Sequence, residues 1–298
     1  MYSKGNIIMT VTTKLALTES LPLSCSRSGS CCFGKQVYIN PWELACLAQA
    51  KELTPKEFRD RYCEFGGIRL RFDGATSFKG MSACSQYIPD FGCSVHPGRP
   101  LVCRLYPLGR QKQNEKQDYI FQGQEFPCLK DCPEVLNLPQ MRVTDYITGQ
   151  AAKSFELVQD EYLEIMQNLA DAAFVLLLDS GLAESGDRET LNLWREMGSE
   201  EPELLAKRIG QEWINHLMLP ALADSLDDPE SFSQRHYDLL LTEAELLLNT
   251  LDTLSDYSKA SGLMMGLALH LGRSLGAKPS ELAEHWITTA KEHGAHGQ

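Results

Sequence analysis

The spacing of apolar positions along the chain changes character near residue 141. Before that point apolar residues come in short alternating runs. In FGKQVYIN, Val37 and Ile39 alternate with polar neighbours, a period of two that predicts a short strand, and IRLRF (68–72) predicts another. Two helices announce themselves by their first turns. Asn40-Pro41 followed by Glu43, and Thr54-Pro55 followed by Glu57, each combine a capping side chain, a proline at the first helical position and an acid three residues past the cap. The second helix is expected to stop at Gly66-Gly67. Residues 73–140 are rich in Gly, Pro and Cys and have little periodicity. Beyond 141 the period becomes helical, predicting helices over 144–180, 188–198, 202–219, 235–256, 259–275 and 279–293, with stops at Gly181, Gly198, Pro220, Gly276 and Pro279. There is no internal repeat or low-complexity tract.

The pattern predicts a mainly α protein. An irregular segment (1–19) precedes a small irregular α+β domain over 20–140, and an all-α domain follows over 141–298. Charge divides the chain at the same place. Residues 1–140 carry 17 Lys+Arg against 13 Asp+Glu, whereas 141–298 carry 11 against 27. An acidic helical half argues against nucleic acid, whose backbone needs clustered Lys/Arg. It fits docking of a protein or peptide partner. No apolar run is long enough to span a bilayer, and residues 1–20 lack the uninterrupted apolar stretch of a signal peptide. The expectation is a cytoplasmic protein without membrane contact.

The cysteines change the picture most. All ten lie between Cys25 and Cys132, and the 166 residues after Cys132 contain none. In a reducing compartment a dense set of thiols points to metal or catalysis rather than disulfides. Cys46 and Cys63 fall on predicted helices among apolar neighbours and read as core residues. Eight others fall in loops: Cys25, Cys31, Cys32, Cys84, Cys93, Cys103, Cys128 and Cys132. A segment as long and aperiodic as 73–140 needs something other than an apolar core to hold it, and metal bound by these sulfurs would do so. Eight thiolates suffice for two four-sulfur sites or one polynuclear centre. The adjacent Cys31 and Cys32 favour two nearby sites, or one ligand beside a packing thiol. No C-x2-C pair with a following histidine pair marks a zinc finger. Arg99 and Arg104 flank Cys103 and are placed to offset the negative charge of a thiolate centre, or to bind carbonyls around it. His96 reads as a neighbour of the centre rather than a ligand.

The segment CSRSGSCC, the block CSQYIPDFGCSVHPGRPLVCRLYP and the late Cys128/Cys132 pair resemble the YkgJ-like cysteine-cluster family, described as zinc- or iron-chelating. Cys93, Val95, His96, Arg99, Pro100, Cys103, Arg104, Tyr106 and Pro107 fall on that family's block. The resemblance covers about residues 25–135. It departs at Ser28, where the pattern has a cysteine. The cysteine motif is also distantly similar to that of the flagellin lysine methylases, which are associated with an iron–sulfur cluster and S-adenosylmethionine. No Gly-rich nucleotide loop accompanies it here.

The leading expectation is a metal-binding protein holding an iron–sulfur cluster or zinc through those eight cysteines. Sulfur-only ligands and an adjacent pair suit a polynuclear centre better than one zinc. Three roles stay open on sequence: a metal-dependent enzyme modifying a protein or peptide, a structural-zinc adaptor whose helical half binds a partner, and a metal buffer or delivery factor.

Overall fold

The structure is a computed structural model that describes residues 13–23, 32–74, 76–78, 80–113, 116–121, 139–181, 187–222 and 225–295. Among these the strands, in chain order, are β1 (Thr13–Leu15), β2 (Ser20–Pro22), β3 (Cys63–Glu64), β4 (Arg69–Leu70), β5 (Thr76–Phe78), β6 (Met81–Ser82), β7 (Tyr87–Ile88), β8 (Gly92–Cys93), β9 (Leu108–Gln113), β10 (Lys116–Phe121) and β11 (Gln140–Arg142). The helices are α1 (Pro41–Ala50), α2 (Pro55–Tyr62), α3 (Leu101–Leu105), α4 (Val143–Gly149), α5 (Ala152–Leu178), α6 (Asp187–Ser199), α7 (Pro202–Ile209), α8 (Gln211–Met218), α9 (Pro229–Leu248), α10 (Leu254–Ser274) and α11 (Pro279–Glu292). The protein is mainly α, with its strands confined to the N-terminal half. Among the described residues no helix is long and apolar enough to cross a membrane.

The chain folds into two compact units. One draws on residues 1–35, 72–96 and 100–153. Its largest sheet has the order β1-β10-β9, all antiparallel, with Thr13 opposite Phe121 and Lys116 opposite Gln113. A second pair, β2 with β11, leads directly into α4, where the Val143 N–H donates to the Glu19 carbonyl at 2.9 Å. Two small antiparallel pairs, β5/β6 and β7/β8, lie between.

The other unit draws on residues 36–71, 97–99 and 154–298. The two anticipated capping boxes are both present: Asn40 with Glu43 at the start of α1, and Thr54 with Glu57 at the start of α2. Val37 and Ile39 are buried as their alternation predicts. They form no regular strand, however. Ile39 N–H donates to Ile68 O and Leu70 N–H to Val37 O, a pairing too short to propagate. α2 ends at Tyr62 rather than at Gly66-Gly67, because Cys63–Glu64 leave the helix to pair with Arg69–Leu70.

Most predicted helices appear, with three corrections. The 144–180 stretch is two helices, broken where Ala151 takes a left-handed backbone (φ 49°). The 202–219 stretch breaks at Gly210 (φ 93°, ψ 149°), a conformation costly for any residue with a side chain. The third correction shifts α9 towards the N-terminus. Asp228 caps it and Pro229 begins it, and Thr253 with Asp256 opens a new capping box for α10. Trp194, Trp286, Tyr162 and Phe232 are fully buried among these helices. Tyr162 Oη lies 2.8 Å from His236 Nδ1, and His236 Nε2 lies 3.0 Å from the His216 carbonyl. A carbonyl only accepts, so the proton sits on Nε2 and Tyr162 donates to Nδ1.

Candidate metal centre

The cysteine-bearing segments of the first unit are held against one another by main-chain bonds. After Cys32 the chain runs antiparallel to residues 81–84. Phe33 bridges Ala83, Gly34 N–H donates to Ser82 O at 3.3 Å, and Cys84 N–H donates to the Cys32 carbonyl at 2.7 Å. The chain then turns, with Tyr87 N–H donating to Cys84 O at 2.9 Å. It enters β7, where Tyr87 is the register partner of Cys93 on β8. Ser94 N–H returns to Gln86 O at 2.9 Å, and the rings of Phe33 and Tyr87 pack edge to face, 5.0 Å between centroids. Main-chain bonds thus set Cys32 beside Cys84 and lead directly from Cys84 into the β7/β8 pair that carries Cys93, joining cysteines separated by up to 61 positions. Cys84 is buried, and Cys32 and Cys93 are half-buried.

Cys103 occupies the short helix α3. Pro100 precedes the helix, and its carbonyl accepts from Cys103 N–H and Arg104 N–H, both at 3.0 Å. Two contacts fix the end of this segment. Lys35 Nζ stands 3.0 Å from the centre of the Tyr106 ring, a cation–π contact that ties the chain after Cys32 to the chain after Cys103. Tyr146 Oη on α4 donates to the carbonyls of Arg104 (3.1 Å) and Tyr106 (2.5 Å). Sequence reasoning missed both Lys35 and Tyr146. Tyr146 lies 40 positions from Tyr106, and no local pattern links them.

The flanking arginines have different settings. Arg104 is buried, and its Nη1 donates to the Gln150 carbonyl at 2.8 Å. Arg99 is half-buried and, with Pro97 and Gly98, belongs to the second unit, unlike Cys93 and Cys103. His96 opens a 3-10 turn over His96–Gly98. Gly98 lies against α1. A Cβ there would fall well inside contact distance of the Cys46 carbonyl and 2.9 Å from the Ala50 methyl. Cys46 is half-buried on α1 and Cys63 is fully buried in β3, so Cys63 is the core residue its surroundings predicted.

The donor chemistry fits a thiophilic metal: Cys32, Cys84, Cys93 and Cys103 all belong to one unit, and no disulfide joins two described cysteines. Among the described residues no three Cys, His, Asp or Glu side chains converge closely enough to hold an ion by themselves. Cys25, Cys31, Cys128 and Cys132, with Ser28, lie outside the described residues.

Residues 24–120 match the model of the CxxCxxCC family, whose description is "Putative zinc- or iron-chelating domain". The match takes in Cys25, Cys31, Cys32, Cys84, Cys93 and Cys103 and stops short of Cys128 and Cys132. No curated protein and no solved structure matches the chain.

Proposed function

Taking the zinc- or iron-chelating family match of residues 24–120 as the premise, we propose that this protein holds a metal through cysteine thiolates, and that the centre is an iron–sulfur cluster. The ligands are drawn from Cys25, Cys31, Cys32, Cys84, Cys93, Cys103, Cys128 and Cys132. The observation that carries the proposal is the main-chain bonding that sets Cys32 beside Cys84 and leads from Cys84 into the β7/β8 pair that carries Cys93. That bonding lowers the entropy lost when distant sulfurs gather on one centre. The adjacent Cys31-Cys32 pair supports a polynuclear centre over a single zinc, because neighbouring residues direct their sulfurs to one mononuclear ion only with strain. A bound cluster would supply electron transfer or Lewis acidity. Arg104, fixed on Gln150, and Lys35, over Tyr106, contribute positive charge to the unit that holds the thiolates. Anaerobic purification, elemental analysis and an absorption spectrum test the proposal. Iron with acid-labile sulfide and broad absorption near about 400 nm is expected. Colourless protein with stoichiometric zinc would replace the cluster with a structural site, and ten reactive thiols without metal would refute both.

The acidic helical half supports a second role, as a docking surface for a protein partner. Leu239, Leu241, Leu246 and Leu248 on α9, and Leu254 at the start of α10, are exposed large apolar residues. Leu241 and Leu248, seven residues apart, share one flank of α9, with Asp238 and Glu245 beside them. Apolar side chains beside acids fit a basic amphipathic segment, whereas a second copy of this surface would bring like charges together. A synthetic Lys/Leu amphipathic helix should bind the intact protein, and the Leu241→Ser/Leu248→Ser variant should bind it weakly. Equal binding by the variant, or self-association through this face in sedimentation, would count against the role.

A further inference from the structure

A cleft of about 580 Å³ opens in the helical unit where the ends of α6 and α10 meet the start of α11. Its polar lining is Gln36, Tyr38, Ser199, Arg273, Lys278 and Ser280, with glycine, alanine and proline making up the rest. No carboxylate lines it. That is unexpected in this setting, because residues 141–298 carry 27 acids against 11 bases. We propose that this cleft is a binding site for a small organic oxyanion, a phosphate ester or carboxylate, with Arg273 as its principal contact.

Arg273 lines the cleft with its guanidinium only partly committed to the protein. It sits in the last turn of α10 and is half-buried. Its Nη2 donates to the Glu200 carbonyl at 3.1 Å, and among the described residues it makes no ion pair. The carboxylate of Glu200 is occupied by Arg208, and neighbouring Arg195 is paired with Glu284. Arg59, Arg61, Arg69 and Arg142 likewise have carboxylate partners. Arg273 is thus a partly desolvated guanidinium with most of its five N–H donors uncommitted, facing a cavity. Burial depresses its pKa, while Tyr38 and Glu201 favour the charged form. A guanidinium in that state gains most from a ligand that accepts a forked pair of hydrogen bonds. Tyr38, Gln36, Ser199 and Ser280 add neutral hydrogen-bonding groups around the same space. Lys278 adds a second positive charge, but it is exposed and already paired with Glu281 at 2.6 Å, so its part is smaller. The volume exceeds what a bare inorganic anion fills and lies in the range of small-molecule sites, which points to an anionic group on a larger organic body. The site involves no cysteine and does not depend on the metal proposal.

The test uses the intact protein labelled with 15N, titrated with inorganic phosphate and, separately, with citrate, against sodium chloride at matched ionic strength. The expected result is a saturable shift of the Tyr38, Gly276 and Ser280 amides by phosphate or citrate, with a Kd on the order of millimolar, and no such shift with chloride. Phosphate alone identifies a phosphate-ester site, and citrate alone a carboxylate site. Arg273→Gln should weaken binding at least about tenfold, and Arg273→Lys by less. If Arg273→Gln loses its dispersed spectrum, Lys278→Glu serves instead: it changes an exposed side chain and should weaken binding severalfold. An equal response to chloride, the absence of saturable shifts, or undiminished binding by the folded variant would overturn the proposal.

Discussion

Acidification from pH 7 to pH 5 should destabilise the helical unit through two buried histidines. His236 and His270 are completely buried. Burial pushes the His236 ring down to about 4, and burial together with the Arg273 charge one turn on pushes His270 down to about 3. Neither nitrogen of His270 has a hydrogen-bond partner among the described residues, so nothing offsets the cost of charging it there. An unfolded histidine titrates near about 6.5. Each folded ring therefore resists a proton that the unfolded chain takes up. The stabilisation is full above that pH and is lost as pH falls from it towards the folded values. At pH 5 nearly every unfolded ring is protonated and neither folded ring is. Integrating proton uptake gives a loss of about 2 kcal/mol per histidine between pH 7 and pH 5, about 4 kcal/mol together. Against a typical total of about 5–15 kcal/mol that is a large fraction. Urea unfolding followed by circular dichroism at pH 7, 6 and 5 measures it directly. His270→Leu removes one titrating ring and two unsatisfied nitrogens, and should roughly halve the pH dependence. A His270→Leu protein with the parent's pH dependence would refute the assignment of the effect to burial of that ring. The lowered carboxylates of Asp60 and Asp256 do not confuse the window, because their own losses come as pH falls below the ordinary carboxylate range.

Further expectations follow from single contacts. Gly98→Ala forces a methyl onto the Cys46 carbonyl and should lower stability by about 1–3 kcal/mol, read as a drop in Tm, whereas Gly80→Ala, where nothing stands within 4 Å, should lack that overpacking cost. Asn40→Ala removes the capping box of α1 and should cost about 1 kcal/mol in chemical unfolding. Cys84→Ser should cut the metal bound per chain, whereas Cys63→Ser, a change in buried packing, should lower Tm and leave metal content in the folded fraction intact. Ser28→Cys restores the sulfur that the family pattern has at that position, and a rise in bound metal would place residue 28 at the centre.

Much of the local grammar was legible because its causes are local. A capping box needs only four residues, so Asn40–Glu43 and Thr54–Glu57 could be read directly. Breaks within helices were less legible. Gly210 reads as an ordinary helix residue until its backbone turns to φ 93°, and Ala151 carries no breaker signal at all. The cysteine block was recognisable by its spacing, and the family match covers it. The partners of that block, Lys35 on Tyr106 and Tyr146 on the Arg104 and Tyr106 carbonyls, had no sequence signal, since a contact between distant segments leaves no period to detect.

The sequence by itself determined the helical character, the starts of α1 and α2, the confinement of cysteine to residues 25–132 and the charge contrast between the halves. Each follows from composition or from forces acting within a turn or two of chain. The tertiary structure alone decided that residues 36–71 pack with the helices and that Cys32 lies beside Cys84. It also decided that His236 and His270 are sealed from water and that Arg273 faces a cleft without a carboxylate. These depend on which surfaces exclude solvent from one another. Burial and juxtaposition are properties of the assembled chain, and the same residues in another packing would have ordinary pKa values and ordinary partners.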